Sequence, residues 1–356
     1  MTTGSGERHQ TPGAPRLPAL DDDEARLAAG AIGRLTETLR TVLFGQDRMV
    51  ETVVTGILAR GHVLLEGLPG LGKTELVKGL SRALDLTSKR VQFTPDLLPG
   101  DVTGNPVLEE TDGRRTFRFQ PGPVFANLLL ADEINRASPK TQSALLEAMQ
   151  ERSVTVMGQT HALPRPFVVL ATQNPIELEG TYPLPEAQLD RFLFKIDVPP
   201  ADEATLERIV LEREIGLPPD VPRVMDAAAL ERLQEQVRRV FLPQPVAAYV
   251  ARLVAATTPG TPTGAGLRFG ASPRAALALA AAARARALCQ GRINAGYDDV
   301  RAAALPVLRH RVLLDYGARL EGLTPDRIVA RLLEAVPAHD KELPSTLAAA
   351  KVRGRA

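Results

Sequence analysis

Between residues 61 and 198 of this 356-residue chain, five short apolar runs recur: "HVLLE" (62–66), "RVQF" (90–93), "NLLLA" (127–131), "FVVLAT" (167–172) and "FLFKIDV" (192–198). Their apolar residues are consecutive rather than alternating, and helical periodicity fills several of the gaps. Such strands are buried on both faces, which predicts a parallel sheet with helices above and below. Ahead of them, "DDDEARLAAGAIGRLTETLRTVLFG" starts with acidic residues and carries Leu27, Ile32, Leu35, Leu39 and Val42 at helical spacing. It predicts a helix that Gly45 closes.

Two stretches interrupt the strand–helix alternation. "NPVLEETDGRRTFRFQPGPVF" reads as a hairpin turning at Asp112-Gly113, and "RSVTVMGQTHALPRPF" as a second turning at Gly158. After Pro199-Pro200 the pattern becomes helical, over roughly 202–214, 227–240, 244–257, 273–289, 297–314 and 325–335, with no strand among them. The expected organisation is a disordered arm over 1–22, an α/β nucleotide-binding domain over 23–200, an all-helical lid over 201–338 and a flexible tail over 339–356.

Composition narrows the class. Hydrophobic residues make up 44% and charged residues 24%, and the formal net charge of +1 supplies no global field toward DNA or an anionic membrane. The polar N-terminus lacks a signal-peptide core, and no apolar run reaches transmembrane length, so a cytoplasmic protein without a membrane span is expected. Cys289 is the only cysteine and sits in an alanine-rich helical stretch, where it reads as a small buried hydrophobe. The five histidines show no ligand spacing, which argues against a protein-bound metal other than nucleotide Mg²⁺.

Gly67-Leu-Pro-Gly-Leu-Gly72-Lys73-Thr74 matches the G-x-x-x-x-G-K-[ST] phosphate loop, with a strand before it and an amphipathic helix after it. Glycines let backbone N–H groups curl inward around phosphate, where a Cβ would obstruct them. The expected contacts to ATP are Gly67, Pro69, Gly70, Leu71, Gly72, Lys73, Thr74 and Glu75, with Lys73 on the phosphate oxygens and the Thr74 hydroxyl on Mg²⁺. Downstream, "NLLLADEINRAS" ends a strand in Asp132-Glu133. Asp132 suits Mg²⁺, and Glu133 suits a general base that polarises the attacking water. A base poised on water favours hydrolysis over phosphoryl transfer. Asn174, just past another strand, could hydrogen-bond both γ-phosphate and water without adding charge.

"GLPGLGKT", "LLLADEINRASPKTQSALLEAMQE", "ATQNP" and "LPEAQLDRF", in that order, closely resemble the MoxR family of AAA+ ATPases. The likeness runs from about residue 44 to 279. It implies an αβα sandwich with a five-stranded parallel sheet, two β-hairpin inserts and a small all-helical lid. It implies Lys73 and Thr74 as the Walker A pair, Asp132 and Glu133 as Walker B, Asn174 as sensor 1, Arg191 as an arginine finger and Arg274 as sensor 2. By its residues alone, Arg191 reads first as a salt-bridge partner of Asp190 and only second as a finger. Arg274 falls in the first turn of a helix capped by Ser272 and Pro273, where a cation wants an anionic partner. Arg136 is a candidate for a subunit interface.

The resemblance further implies a hexameric ring of identical subunits acting on a protein client, often beside a von Willebrand factor A domain partner. A nucleic-acid motor and a nucleotide-dependent switch are the alternatives. The basic "DGRRTFRF" and "RARALCQGR" stretches are the motor's support, whereas near-neutral charge and the lack of an aromatic-basic module argue against nucleic acid.

Overall fold

The computed structural model describes residues 18–338 apart from 69, 112–113, 175–180, 215–216 and 218. Helices α1 (Asp22–Arg40) and α2 (Asp47–Leu58) lead into strand β1 (Val63–Glu66), helix α3 (Lys73–Ala83), β2 (Ser88–Gln92) and the short α4 (Pro99–Thr103). Hairpin β3 (Gly104–Thr111) and β4 (Arg114–Pro121) is followed by β5 (Leu128–Asp132) and α5 (Pro139–Glu151). Hairpin β6 (Ser153–Val156) and β7 (Gln159–Ala162) precedes β8 (Val168–Gln173), α6 (Glu186–Leu189) and β9 (Phe194–Asp197). The remainder comprises α7 (Glu203–Glu212), α8 (Ala227–Arg239), α9 (Gln244–Ala255), β10 (Leu267–Phe269) and α10 (Pro273–Cys289). It ends with α11 (Tyr297–Leu308), β11 (Leu313–Leu314), α12 (Tyr316–Leu320) and α13 (Pro325–Ala335).

All five apolar runs pair in one parallel sheet of order β2-β5-β8-β1-β9. Successive side chains point to opposite faces. Val63, Leu65, Leu128, Leu130, Val168 and Leu170 therefore enter a core shared with α1, α2, α3 and the later helices. Leu64, Leu129, Ala131, Val169 and Ala171 enter a second core with Leu145, Leu146 and Met149 of α5. Continuous burial follows from this two-sided cover, as the unbroken apolar runs require.

Several boundaries differ from the sequence expectation. Residues 18–20, expected within the arm over 1–22, are held against the fold: Leu20 is 4% exposed, and Arg239 donates to the Pro18 and Ala19 carbonyls at 3.0 and 2.9 Å. Residues 1–17 and the tail 339–356 lie outside the described residues. Helix α1 starts at a capping box, with Asp21 accepting the Glu24 N–H at 2.7 Å, and ends at Arg40, before Gly45. Gly45 instead turns the following loop at φ 69°. Leu27 is 77% exposed, because the α1 stripe is built by Ala25, Ala28, Ile32, Leu35 and Leu39.

The part after β9 is not all-helical. β10 and β11 pair antiparallel, and the helix expected over 297–314 stops at Leu308. Two- and three-residue strands are too short to show a period in the sequence. What ends α11 is the burial of His310 and Arg311 against the Phe192 carbonyl of the sheet domain, at 3.1 and 2.6 Å. Both hairpins form as expected, with Met157 and Gly158 turning the second at φ 51° and 78°. The Asp112-Gly113 turn lies outside the described residues. Phe119 of the first hairpin stacks on His161 of the second, ring centroids 4.2 Å apart.

Candidate functional site

The carboxyl edge of the sheet holds a cleft of about 340 Å³ lined by Gly70, Gly72, Lys73, Thr74, Glu75, Arg90, Gln92, Asp132, Glu133 and Asn174. Strand β1 delivers the glycine loop, β5 the two acids, β8 Asn174, and β2 Arg90 and Gln92. Four consecutive strands of a parallel sheet end on the same side, so residues distant in sequence converge there.

Local chemistry shapes the loop. Gly72 is the N-cap of α3 at φ 79°, a left-handed conformation that disfavours a Cβ, and a Cβ would also meet Leu43 at 2.8 Å. A Cβ on Gly67 would stand 2.9 Å from the Val198 carbonyl oxygen. Lys73 starts α3, and its ammonium donates to the Gly67 carbonyl at 2.7 Å. Burial lowers the Lys73 pKa, while the charges of Asp132, Glu133 and Glu66 act to raise it. Pro69 lies outside the described residues.

Each acid is held by side chains. Asp132 accepts from the Thr172 hydroxyl at 2.6 Å and from Arg90 at 2.6 Å. Glu133 accepts from the Gln92 amide at 2.7 Å and from Arg136 at 2.9 Å, so the candidate interface arginine is engaged within its own site. The Glu133 backbone is left-handed, φ 54°, and its N–H donates to Thr172 Oγ at 2.8 Å. A non-glycine residue in that region costs about 1–3 kcal/mol and persists only where its surroundings hold it. Here Gln142 does much of the holding. Its buried amide donates to the carbonyls of Ile134, Ala137 and Tyr182 at 3.2, 3.1 and 2.9 Å.

The two candidate arginines lie elsewhere. Arg191 donates to the Leu146 carbonyl at 2.7 Å, and Arg274 reaches Gln150 Oε1 at 3.5 Å. Leu146 and Gln150 are one turn apart on α5, so both arginines lie along that helix, and neither lines the phosphate cleft. Asp190 pairs with Arg311 at 2.6 Å, which answers the alternative reading of Arg191 as its partner.

A larger cleft of about 740 Å³ adjoins the first through Gly70, Gly72 and Glu75. Its walls include Val42, Leu43, Phe44, Leu71, Leu206 and Ile209. An apolar cleft opening onto a phosphate loop can hold the base and ribose of a nucleotide. Apart from Leu71 of the phosphate loop, the sequence pattern did not reveal these walls, because they come from a turn and from α7, two segments without a motif. Arg90, Gln92 and Thr172 were missed too; their signal is only the strand register that sets Gln92 beside Asp132. Cys289 is half-buried against the core, and desolvation raises its thiol pKa to about 11. Among the described residues, no helix is long and apolar enough to cross a membrane.

Comparison with known proteins agrees with this geometry. Residues 62–194 match the ATPase family associated with various cellular activities (AAA), and residues 262–332 match an AAA lid domain. The chain is 43% identical to Chaperone MoxR1 of Mycobacterium tuberculosis, over 98% of this chain and 97% of that protein. It is 34% identical to Protein MoxR of Methylorubrum extorquens, over 86% of this chain and 95% of the other. A solved structure of a candidate ATPase from Cytophaga hutchinsonii superposes with a TM-score of 0.81 at 37% identity, covering 89% of this chain and 97% of that one.

Proposed function

The chain belongs to the MoxR family of AAA+ ATPases, and from that premise we propose that it is a chaperone-like machine. In this reading it hydrolyses Mg-ATP as a ring of identical subunits and remodels or activates a protein client in the cytoplasm. The observation that carries the reading is the convergence of Lys73, Thr74, Asp132, Glu133 and Asn174 on one cleft beside an apolar one. The phosphates of ATP would lie along the loop, with Lys73 exchanging its Gly67 carbonyl for phosphate oxygens. The Thr74 hydroxyl and Asp132 carboxylate are hard oxygen donors that suit Mg²⁺, which would neutralise charge on the phosphates. Glu133 takes the proton of the attacking water, and Asn174 orients that water. For this, Glu133 must give up at least part of its bonding to Gln92 and Arg136.

The positions of Arg191 and Arg274 support assembly. Both lie outside their own subunit's cleft, which supports a reading in which they serve a neighbour's nucleotide, where a trans arginine contributes roughly 10³–10⁵ in rate. Mixing Arg191→Ala with Lys73→Ala tests this. Each variant alone should be nearly inactive, and mixed rings should regain turnover at interfaces pairing an intact Lys73 with an intact Arg191. If subunit exchange is demonstrated and activity stays absent, the trans reading fails.

A nucleic-acid motor draws less support. In the hairpin, Arg115 pairs with Glu110 at 3.0 Å and Arg118 with Glu109 at 3.3 Å, so those charges are locally compensated. A von Willebrand factor A domain partner is proposed on family likeness.

A further inference from the structure

At the opposite, amino-terminal edge of the sheet lies a polar cleft of about 520 Å³. Arg60 precedes β1, Arg152 caps α5, Arg165 precedes β8 and Arg232 belongs to α8; all four line it, with Glu231 and Glu235. Four arginines against two glutamates leave two positive charges. Arg60 bonds Glu235 at 3.2 Å, a carboxylate that Arg238 also takes at 3.0 Å. Arg152 donates to a carbonyl, that of Arg60, at 3.1 Å. Among the described residues, the guanidinium groups of Arg165 and Arg232 have no hydrogen-bonding or ion-pair partner. The Arg60 Nε is buried without one.

This crowding of positive charge has a cost, legible at Arg152. Arg152 has its pKa lowered by burial and then by the charges of Arg60 and Arg165. Like charges held together in a cleft are relieved by an anion.

We propose that this cleft docks an acidic segment of a protein partner, whose Asp and Glu carboxylates pair with Arg152, Arg165 and Arg232. Guanidinium forks match carboxylates two bonds at a time. The positive groups come from four separate elements, a spread that suits several carboxylates along a peptide. Among the described residues, no aromatic residue lines the cleft to stack a base, and no glycine lines it to cradle phosphate. Glu231 and Glu235 in the wall repel a dense polyphosphate. The site stands on geometry independent of the nucleotide cleft.

The test is fluorescence anisotropy with a labelled oligoglutamate peptide on the full chain saturated with Mg-ADP, which blocks the phosphate loop. Binding should weaken with salt. The double variant Arg165→Glu, Arg232→Glu alters two exposed, unpaired side chains and should weaken binding ~10-fold or more, the scale of lost charge-assisted contacts. The milder Arg165→Gln, Arg232→Gln should act in the same direction if the reversal unfolds the chain. Reversing Arg115 and Arg118 on the hairpin should leave affinity unchanged. The proposal is overturned if the peptide does not bind at low salt, or if cleft and hairpin reversals act alike. It is also overturned if tripolyphosphate or a single-stranded oligonucleotide displaces the peptide at lower charge concentration, which would assign the cleft to another polyanion.

Discussion

Arg311 Nε donates to Asp190 Oδ1 at 2.6 Å, a buried ion pair that ties the lid to the residue before Arg191. The same guanidinium donates to the Asp190, Phe192 and Leu193 carbonyls at 3.1, 2.6 and 3.1 Å. The other Asp190 oxygen accepts from Ser272 at 2.9 Å, and Ser272 caps the helix that bears Arg274. One carboxylate thus joins the segments carrying both candidate trans arginines.

Removing one partner of such a pair strands the other without water. Arg311→Ala should cost about 3–5 kcal/mol of unfolding free energy. Asp190→Asn should cost less, since its amide oxygen still accepts from Arg311 or Ser272. Urea unfolding measures both. A loss below about 1 kcal/mol for Arg311→Ala, within the range of an exposed pair, would mean the pair does not hold the lid.

Binding and turnover should separate by residue. Lys73→Ala removes the cation under the phosphates and should abolish measurable nucleotide affinity by calorimetry. Glu133→Gln should keep Mg-ATP bound yet slow phosphate release roughly 10²–10⁴-fold. Wild-type turnover in Glu133→Gln would refute the general-base assignment.

Arg274 contacts α5 and not the cleft of its own subunit. Arg274→Ala should therefore leave ADP affinity of the dispersed chain unchanged while depressing hydrolysis by assembled rings. The check is nucleotide titration alongside phosphate release across protein concentration. A weakened ADP affinity in dispersed chains would return Arg274 to its own site.

Acid should destabilise the fold through its buried histidines. In His62, Nδ1 accepts from Val169 N–H at 2.9 Å and Nε2 meets the Met149 carbonyl at 3.1 Å, the neutral tautomer. Burial lowers its pKa to about 4, and His310 falls well below its ordinary value for the same reason. The folded chain keeps both neutral while the unfolded chain protonates them below about pH 6.5, so stability is full above that pH and lost as pH falls toward 4. His62 alone accounts for about 3 kcal/mol. Melting should drop between about pH 7.5 and about pH 5, and His62→Gln should flatten the profile. A flat wild-type profile would exclude the effect.

Much of this molecule is legible in one dimension. Consecutive apolar residues mean two-sided burial, so the five strands and the parallel sheet follow from the run pattern. The positions of the glycine loop, Asp132-Glu133 and Asn174 at one sheet edge follow because each lies at a strand end, and a strand end is visible where an apolar run stops. The family motifs are local for the same reason. Gln142 and Ser138 fold the segment just after the acids through contacts within about ten residues of sequence.

What the tertiary structure decided are relationships between segments that share no motif. The apolar wall from 42–46 and α7, the Gln92–Glu133 and Arg90–Asp132 contacts, and the four-arginine cleft depend on strand order and helix docking. So does the choice of Arg311 over Arg191 as the partner of Asp190. A charged side chain next in sequence had the entropic advantage, but Arg311 reaches the carboxylate from 121 residues away together with three carbonyls of the same turn. Packing supplied a desolvated, multiply bonded site, and that outweighs proximity along the chain.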